Sequence, residues 1–385
     1  MPAGSETWDA VVIGAGPAGS LAALRLAQRG HQVLLVEAKK FPRDKVCGGC
    51  LNARAWQVLQ RHHLVDDLLA AGAVELEQLL VTCGRRQVTW PMPVMHAISR
   101  RTLDAQLAES AAARGATFLQ ETQARIGSEA GEADRVAIEL RQPASAARTV
   151  WARVVIAADG LTHSSLTEID QAASYVAGNS RIGVGAQVSY SGAGYPAGRL
   201  TMMVGDSGYV GITRVEGERL NLAAALDMQC LRAGKKPGEV IRQLIEDARE
   251  ELPDQLLEAQ WQGTPALTRQ SRRWAWHRVF LVGDAAGYVE PFTGEGMSWA
   301  LAGAEAVTEL AESAMIGWRD ELAVRWQVQW RKQVQRQQRT CRALAWTLKQ
   351  PQLTGWVLWA LQRAPWLVQP LMQQVSGARH VGVGL

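Results

Sequence analysis

A short apolar run near the start of the chain ends abruptly in a glycine-rich turn. Residues 11–13 lead into Gly14-Ala15-Gly16-Pro17-Ala18-Gly19, a G-x-G-x-x-G pattern, and residues 18–29 continue with helical character. A second apolar run, residues 33–36, ends at Glu37. This order predicts a β-α-β unit whose turn binds a pyrophosphate, because a helix N-terminus presents unpaired N–H groups and the positive end of its dipole.

The glycines of the turn have separate physical roles. Gly14 permits backbone angles that a side chain forbids, Gly16 lets the backbone approach a phosphate, and Gly19 allows the helix to pack closely on the strand. Glu37 is placed to accept hydrogen bonds from a ribose diol. Its charge repels a 2′-phosphate, which disfavours NADP in this cleft. The pattern alone leaves FAD and NAD open.

Composition sets the class of protein. The chain has 385 residues, of which 47% are hydrophobic and 20% charged, as in a globular protein with two or three domains. It contains no apolar run of about 18–20 residues and no signal-peptide pattern, so we expect a cytoplasmic protein. Its five cysteines are too few and scattered for a disulfide framework. The seven histidines show no metal spacing, and no nucleic-acid-binding signature accompanies the basic tail.

The order of the apolar patterns predicts an α/β fold with interleaved domains. Helical periodicity covers residues 51–69, and Ser99 is positioned to cap the helix that follows it. We assign residues 1–75, 99–169 and 276–315 to a nucleotide-binding domain, and residues 76–98 and 170–275 to an antiparallel-sheet substrate domain. Residues 316–385 form a helical C-terminal region.

Four stretches resemble the FAD-dependent superfamily of the p-hydroxybenzoate hydroxylase and geranylgeranyl reductase type, which also contains flavin halogenases. Besides the first turn with Glu37, the stretches are Arg100-x-x-Leu103-Asp104, Ala158-Asp159-Gly160, and Gly283-Asp284-Ala285-Ala286-Gly287 followed by Glu290-Pro291-Phe292-Thr293-Gly294-Glu295-Gly296-Met297. The resemblance implies a Rossmann-type domain, FAD as the cofactor, and an oxidoreductase.

The resemblance also implies roles for particular residues. Asp284 is expected to hydrogen-bond the ribityl chain, Arg100 to lie near the phosphates, and Ala124 to meet the adenine through its backbone. Pro291 is expected along the flavin face, and the helix that opens at Gly294 is expected to face the pyrimidine edge, where reduction places negative charge. The full set of expected FAD contacts is Gly14, Ala15, Gly16, Pro17, Ala18, Gly19, Glu37, Ala38, Cys47, Gly48, Arg100, Ala124, Asp159, Gly160, Gly283, Asp284, Pro291, Gly294, Gly296 and Met297.

The loop that contains Cys47-Gly48-Gly49-Cys50 favours the geranylgeranyl reductase-like branch, where a cysteine near the flavin occupies the position of Cys47. Cys50 departs from that pattern. Three interpretations stay open: thiols that only pack in a glycine-rich loop, a catalytic role for Cys47 as a proton or contact residue, and a redox dithiol. A zinc site is disfavoured because no second ligand pair accompanies the loop.

Three further patterns bear on the reaction. The stretch from Asp159 to Leu166 contains no Arg or Lys, which disfavours NADPH docking of the hydroxylase kind. Trp274-Ala275-Trp276 lacks the Ile-Pro of the halogenase motif and is interpreted as strand packing. Gly208-Tyr209-Val210-Gly211 loosely resembles the reductases' lipid-cavity strand but lacks its Trp and Phe-Pro.

The tail has a basic, Trp-rich helical pattern. An apolar stripe faces away from a basic side, and the stripe consists of Trp326, Trp330, Val334, Cys341, Leu344, Ala345 and Leu348. Two interpretations stay open: a helix packed on the FAD domain with a solvated basic face, or a peripheral membrane contact or gate over a lipid-like substrate, to which Trp356, Trp359 and Trp366 would contribute.

Taken together, these patterns predict an FAD-dependent oxidoreductase that acts on an apolar small molecule, isoprenoid or polyketide-like, by reduction or dehydrogenation at carbon–carbon bonds. The alternatives are a flavin monooxygenase that uses NAD(P)H and O2, and an FAD-bearing electron-relay or membrane-surface protein. The chain has no second nucleotide fingerprint, so the electron donor is either NAD(P)H bound transiently or another reductant.

Overall fold

A computed structural model of the chain describes residues 6–127, 134–166, 174–290, 292 and 294–364. Numbered in chain order, the strands are β1 (Thr7–Ile13), β2 (Val33–Val36), β3 (Cys50–Asn52), β4 (Val74–Glu75), β5 (Gln78–Cys83), β6 (Arg86–Pro91), β7 (Met95–Ala97), β8 (Thr117–Leu119), β9 (Gln123–Ile126), β10 (Val136–Arg141), β11 (Arg148–Ala157), β12 (Ser174–Val176), β13 (Ile182–Ser189), β14 (Arg199–Gly205), β15 (Gly208–Val215), β16 (Arg219–Leu226), β17 (Gln262–Ala266), β18 (Arg269–Ser271), β19 (Ala275–Trp276), β20 (Val279–Leu281) and β21 (Gly287–Tyr288). The helices are α1 (Pro17–Gln28), α2 (Ala53–Arg61), α3 (Val65–Ala70), α4 (Arg100–Ala113), α5 (Met228–Arg232), α6 (Pro237–Asp247), α7 (Glu295–Ile316), α8 (Asp320–Trp330), α9 (Arg336–Leu348) and α10 (Pro351–Arg363). None of the helices in these residues combines the length and hydropathy needed to cross a bilayer.

The first sheet is the nucleotide-binding layer. Its main path runs β19-β20-β11-β1-β2-β8, and β20, β11, β1, β2 and β8 are parallel. The apolar runs at the ends of β1 and β11 are fully buried, as expected for parallel strands covered on both faces. Strand order reverses at β1, because β2 follows on one side and β11 on the other. Ligands of such sheets bind beyond the carboxyl ends of the strands at this switch point.

The second large sheet runs β17-β13-β16-β15-β14-β5-β6. Most of its pairs are antiparallel, as predicted, but β5 and β14 are parallel. The sequence analysis missed this pair because the two strands are far apart in the chain and lie beside each other only after a long crossover. Helix α6 covers one face of the sheet, and α9 and α10 pack on the other. The proposed division into two interleaved domains stays a prediction.

The predicted helical segment over residues 51–69 was partly wrong. Residues Cys50–Asn52 form β3, and the helices that follow are α2 and α3. Asn52 ends the strand and caps α2, since its side chain accepts a hydrogen bond from the N–H of Ala55. The predicted cap of α4 is confirmed, because the Ser99 side chain accepts from the N–H of Thr102.

The helical C-terminal region is confirmed as far as residue 364, and Trp366 lies outside the described residues. The predicted apolar stripe packs inward. Trp326 and Trp330 are 0% and 2% exposed, and Trp326 donates a hydrogen bond to the carbonyl of Leu281 at the end of β20. Gly303 of α7 leaves room for the Trp330 ring, because a Cβ there would lie 3.0 Å from it. The tail therefore packs first on the nucleotide-binding layer, through α8, and then on the second sheet, through α9 and α10.

Candidate functional site

The motifs found in the sequence meet at one edge of the parallel sheet. Ile13 at the end of β1 lies opposite Val36 of β2 and Ala157 of β11, and Ala157 lies opposite Leu281 of β20. The first glycine turn, Glu37, the Asp-Gly turn and the Gly-Asp turn each follow one of these strands. A parallel sheet thus brings four distant segments to one cleft.

Two of the three glycines in the first turn are packed against neighbouring backbone, and the third has open space beside it. Gly14 has a φ of +97°, and a Cβ there would lie 2.5 Å from the carbonyl oxygen of Ala158. A Cβ on Gly19 would lie 1.8 Å from the carbonyl oxygen of Gly14. By contrast, a Cβ on Gly16 would meet only Nη2 of Arg100, at 3.4 Å. Gly16 therefore leaves its side free for a ligand, whereas Gly14 and Gly19 hold the turn against its neighbours.

Glu37 is held at the end of β2 by three hydrogen bonds. Its Oε2 accepts from the N–H of Ala15 at 3.1 Å and from Arg43 at 3.3 Å, and its Oε1 accepts from the N–H of Lys39 at 3.0 Å. The carboxylate is thereby tied to the glycine turn itself. Because Oε1 accepts only one of these bonds, it keeps a lone-pair site for a ribose hydroxyl.

Arg100 belongs to a buried network of charges beside the turn. It forms a bidentate pair with Asp104, in which both N···O distances are 2.7 Å, and Arg43 donates to the same carboxylate at 3.0 Å. Burial disfavours the charged form of Arg100, but the Asp104 carboxylate outweighs that cost and the pKa of Arg100 is raised. The sequence analysis did not include Arg43 among the site residues. The sequence feature that could have indicated Arg43 is its position six residues after Glu37, the acid expected to bind the ribose.

The cleft above this edge is open to solvent and, counted together with its open mouth, has a volume of about 1230 Å³. Twelve of the predicted contact residues line it: Gly16, Pro17, Ala18, Cys47, Gly48, Arg100, Gly160, Gly283, Asp284, Gly294, Gly296 and Met297. These residues fit FAD, because the open backbone at Gly16 and the guanidinium of Arg100 suit a pyrophosphate. Their contact with the cofactor stays a prediction.

The other predicted contact residues lie around the cleft, outside its lining: Gly14, Ala15, Gly19, Glu37, Ala38, Ala124 and Asp159. Ala38 is exposed, whereas Ala124 is buried in β9 opposite Leu140. Asp159 caps the turn after β11, since its Oδ2 accepts from the N–H of Ser165 at 2.8 Å. Pro291 lies outside the described residues.

Lys45 is a cleft residue that the sequence analysis missed. Its Nζ lies 3.9 Å from Oδ2 of Asp284, and a Cβ on Gly160 would lie 3.3 Å from the same nitrogen. Desolvation in the cleft, followed by the charge of Arg100, lowers the pKa of Lys45. The side chain therefore bridges the two turns that follow β11 and β20.

The N-terminus of α7 closes one end of the cleft. Gly294 has a φ of +86°, and a Cβ there would lie 2.3 Å from the carbonyl oxygen of Cys50. Only glycine fits both conditions, because the angle is left-handed and the approach is to backbone. The first turn of α7 is therefore pressed against the cysteine loop, and the positive end of the helix dipole lies beside the cleft.

The structure separates the two cysteines of the loop. Cys47 is half-buried and accepts a hydrogen bond from the N–H of Gly49, whereas Cys50 is 2% exposed and donates to the carbonyl of Gly48. Burial, and next the neighbouring Cys47, raise the pKa of Cys50. A thiol held neutral in this way is not the attacking nucleophile of a dithiol pair, and the dithiol interpretation stays a prediction.

The wall of the cleft opposite the glycine turns is apolar and comes from β14 of the second sheet and from neighbouring loops. It includes Leu161, Leu200, Met202, Leu267 and Phe292. Leu348 and Leu358 of the tail belong to the same apolar cluster, so α9 and α10 support this wall from behind. The cleft thus joins a polar, glycine-rich half to an apolar half.

Tyr209 of β15 also faces the apolar half, and a buried ion pair lies behind it. Arg181 and Glu290 are 0% and 2% exposed, and Nη1 of Arg181 lies 3.2 Å from Oε1 of Glu290. The guanidinium stands 5.6 Å from the centroid of the Tyr209 ring. Sequence reasoning missed this cluster, because its members come from three separate segments. The Gly-Tyr-Val-Gly pattern and the stretch that begins at Glu290 were its signals.

Comparison of the sequence with known proteins identifies a family and several similar proteins. The sequence profile described as FAD binding domain matches residues 7–337. Digeranylgeranylglycerophospholipid reductase 2 of Methanococcoides burtonii is 26% identical over 327 residues, which cover 80% of this chain and 76% of that protein. Menaquinone reductase of Mycobacterium tuberculosis is 37% identical over 120 residues, or 30% of this chain and 29% of that protein. Conditioned medium factor receptor 1 of Dictyostelium discoideum is 24% identical over 345 residues, which are 80% of this chain and 63% of that receptor.

Solved structures share the fold. A flavoprotein/dehydrogenase from Cytophaga hutchinsonii superposes with a TM-score of 0.81 at 19% identity and covers 96% of this chain and 92% of its own. The myxobacterial chondrochloren halogenase CndH gives 0.71 at 20% identity, with 85% and 79% covered. PqsL of Pseudomonas aeruginosa, described as a probable FAD-dependent monooxygenase, gives 0.71 at 19% identity, with 91% and 99% covered. This fold therefore serves reductive, halogenating and oxygenating enzymes alike.

Proposed function

This chain belongs to the family of FAD binding domains, so its cofactor is FAD and its chemistry is that of an FAD-dependent oxidoreductase, and we propose that it reduces or dehydrogenates carbon–carbon bonds in an isoprenoid-like apolar molecule. The observation that carries the proposal is the two-sided cleft. Glycine turns line one half of it, and the side chains of Leu200, Met202 and Phe292 contribute to the other half. An apolar wall of this kind suits a hydrocarbon chain, because burial from water is the main favourable term for such a ligand.

The named relatives support this choice of substrate. The archaeal reductase, by its name, acts on a lipid with geranylgeranyl chains, and the mycobacterial relative acts on menaquinone. The archaeal match covers most of both chains, whereas the mycobacterial match covers only about a third of each. We therefore give the isoprenoid chain precedence over a quinone ring as the group that enters the cleft.

The residues of the polar half would hold FAD. We assign the pyrophosphate to the open backbone of Gly16 and to Arg100, and the ribose to Glu37. Asp284 and the N-terminus of α7 are assigned to the flavin end of the cofactor. When bound and reduced, FAD supplies a hydride for the reaction.

The protein contributes orientation, exclusion of water and electrostatics. The apolar wall orients the substrate and removes water from the reacting bond, which strengthens every polar interaction in the cleft. The positive end of the α7 dipole favours negative charge at that end of the site. Cys47, half-buried at the cleft wall, stays a candidate proton or contact residue of the reaction.

Anaerobic photoreduction of the FAD-loaded protein tests the proposal. We expect a short-chain menaquinone or a geranylgeranyl lipid to reoxidise the reduced flavin, and mass spectrometry to show a product heavier by two hydrogens. NADH and NADPH, added separately to the oxidised protein, identify a nicotinamide donor if one serves. Oxygenated product that appears only with O2 would instead make the protein a monooxygenase. A flavin whose reoxidation no candidate substrate changes would favour an electron-relay role.

The tail adds a proposed membrane contact. Trp346 and Trp356 are 58% and 60% exposed, and Trp359 is 38% exposed beside Arg363, whose guanidinium stands 4.1 Å from its ring. No Asp or Glu occurs after Glu321. Tryptophan rings and cations together suit the interface of an anionic bilayer, which would also hold an isoprenoid lipid close to the cleft.

Flotation with vesicles tests this contact. We expect the protein to float with vesicles that contain anionic lipid, and to float less with neutral vesicles or at high salt. Replacing Trp346 and Trp356 by Ser should abolish flotation, whereas Tyr175→Ser, at another exposed aromatic residue, should not. Equal flotation of wild type and the double variant would contradict the proposed surface.

A further inference from the structure

We propose that Met202 and Gly211 are specificity-determining residues of the apolar half of the cleft. Gly211 forms a slot that keeps the Met202 thioether against the second sheet, and this leaves the cleft deep enough for an isoprenoid chain. The inference rests on the proposed function and names residues that give its substrate space. Both residues line the cleft. An isoprenoid chain carries a methyl branch on every unit, so the depth of the cleft decides whether the chain enters.

The two residues lie opposite each other in the second sheet. Met202 of β14 is the register partner of Gly211 of β15, and Gly211 is in turn the partner of Ala223 of β16. Residues directly opposite each other project from the same face of a sheet, with Cβ atoms about 4.5–5.5 Å apart. This row therefore places one long side chain beside two small residues, and all three line the cleft.

Backbone conformation does not explain the glycine at residue 211. Gly211 lies in the interior of β15 with a φ outside the left-handed region, whereas Gly208 at the start of that strand has a φ of +135°. A glycine inside a strand weakens the strand and often marks the close approach of another group. That group is the Met202 thioether, because a Cβ on Gly211 would lie 2.7 Å from its Sδ and 3.6 Å from its Cε.

If the slot is filled, the cleft is the open side for the Met202 side chain. Leu200 and Val204 flank Met202 along β14, and Val81 of β5 is its partner on the other side. All three neighbours are buried with Met202 in one apolar cluster. Because methionine is unbranched and has three rotatable bonds, its side chain swings away before the backbone yields. A methyl group at residue 211 would therefore push the thioether into the cleft and make the cleft shallower.

A pair of variants tests the slot in the reaction itself. The substrate is whichever of the geranylgeranyl lipid and the short-chain menaquinone reoxidises the photoreduced wild-type flavin. At low substrate concentration, Gly211→Ala should slow this reoxidation by about 10–200-fold, which is the range for one methylene group in an apolar pocket. FAD affinity should stay unchanged. Adding Met202→Ala to Gly211→Ala should restore most of the rate, because the group that the new methyl displaces is then absent.

Gly263→Ala is the matched control for these variants. Gly263 lies in β17 of the same sheet, and a Cβ there would meet nothing within 4 Å, so this variant should react like wild type. A Gly211→Ala protein as active as wild type, or a loss that persists in the double variant, overturns the inference and leaves the proposed function intact. If wild type reduces neither substrate, the proposed function fails, and this inference fails with it.

Methyl NMR tests the place of the Met202 side chain even if a Gly211 variant does not fold. In FAD-loaded wild type with isotope-labelled methionine methyl groups, the Met202 signal is identified by its loss in Met202→Leu. We expect the same substrate to shift this signal and to leave the signal of Met228, 37% exposed on α5, unchanged. In Gly211→Ala the Met202 signal should be displaced before substrate is added. A Met202 signal that the substrate leaves in place would overturn the inference.

Discussion

Replacement of Gly16 by alanine separates cofactor binding from folding. The backbone angles of Gly16, φ −76° and ψ −177°, are open to alanine, and the new Cβ would meet only Nη2 of Arg100 at 3.4 Å. The loss of a favourable N-cap residue and the gain in chain stiffness nearly offset each other, so the free energy of unfolding of the apoprotein should change by less than about 1 kcal/mol. The methyl group would, however, project into the space assigned to the pyrophosphate.

We expect Gly16→Ala to weaken FAD binding by about 100-fold or more, which corresponds to about 2.8 kcal/mol. Gly19→Ala should behave in the opposite way. Its Cβ would lie 1.8 Å from the carbonyl oxygen of Gly14, and overpacking against backbone should destabilise the apoprotein by about 3 kcal/mol. Gly178→Ala, where a Cβ would meet nothing within 4 Å, controls for the substitution itself.

Urea unfolding of the apoproteins and titration of FAD fluorescence measure the two effects independently. The reasoning predicts a stable but FAD-poor Gly16→Ala protein, an unstable Gly19→Ala protein, and a Gly178→Ala protein like wild type. Wild-type FAD affinity in Gly16→Ala would refute the assignment of the pyrophosphate to this turn. Strong destabilisation of its apoprotein would refute the view that the turn leaves that side open.

Three further outcomes are expected. Burial opposes the charge of Glu305, but hydrogen bonds from His62 and Arg61 outweigh burial and lower the pKa of Glu305 to about 2. The unfolding free energy of wild type should therefore exceed that of Glu305→Gln by about 1 kcal/mol at pH 7. Urea titrations in acid should show this advantage above about pH 4.5 and its loss as pH falls towards 2, whereas a pH-independent difference would contradict the linkage. Because it is buried and its pKa is raised, Cys50 should resist iodoacetamide at pH 8.5 while half-buried Cys47 is modified, as peptide mass mapping would show; equal labelling of both would contradict the burial of Cys50. Ser99→Ala should cost about 1–2 kcal/mol in urea unfolding, since Ser99 accepts from Thr102 and donates to Glu216, and an unchanged midpoint would show that the cap is dispensable.

The sequence by itself determined the local chemistry of the cofactor half. The turn from Gly14 to Gly19, the acid at residue 37 and the Gly-Asp turn at residue 284 are each set by a few neighbouring residues, and backbone sterics allow few conformations there. The parallel order of the strands then requires these turns to share one edge. This part of the site was therefore predictable without any knowledge of long-range contacts.

Tertiary structure alone decided the substrate half. The parallel pairing of β5 with β14, the support of the wall by Leu348 and Leu358, and the meeting of Arg181 with Glu290 join residues that are distant in the chain. Residue type and spacing do not specify such encounters, because they depend on which surfaces bury the most apolar area when the whole chain folds. The buried cluster beside the substrate half was therefore visible only once packing had placed Tyr209, Glu290 and Arg181 together.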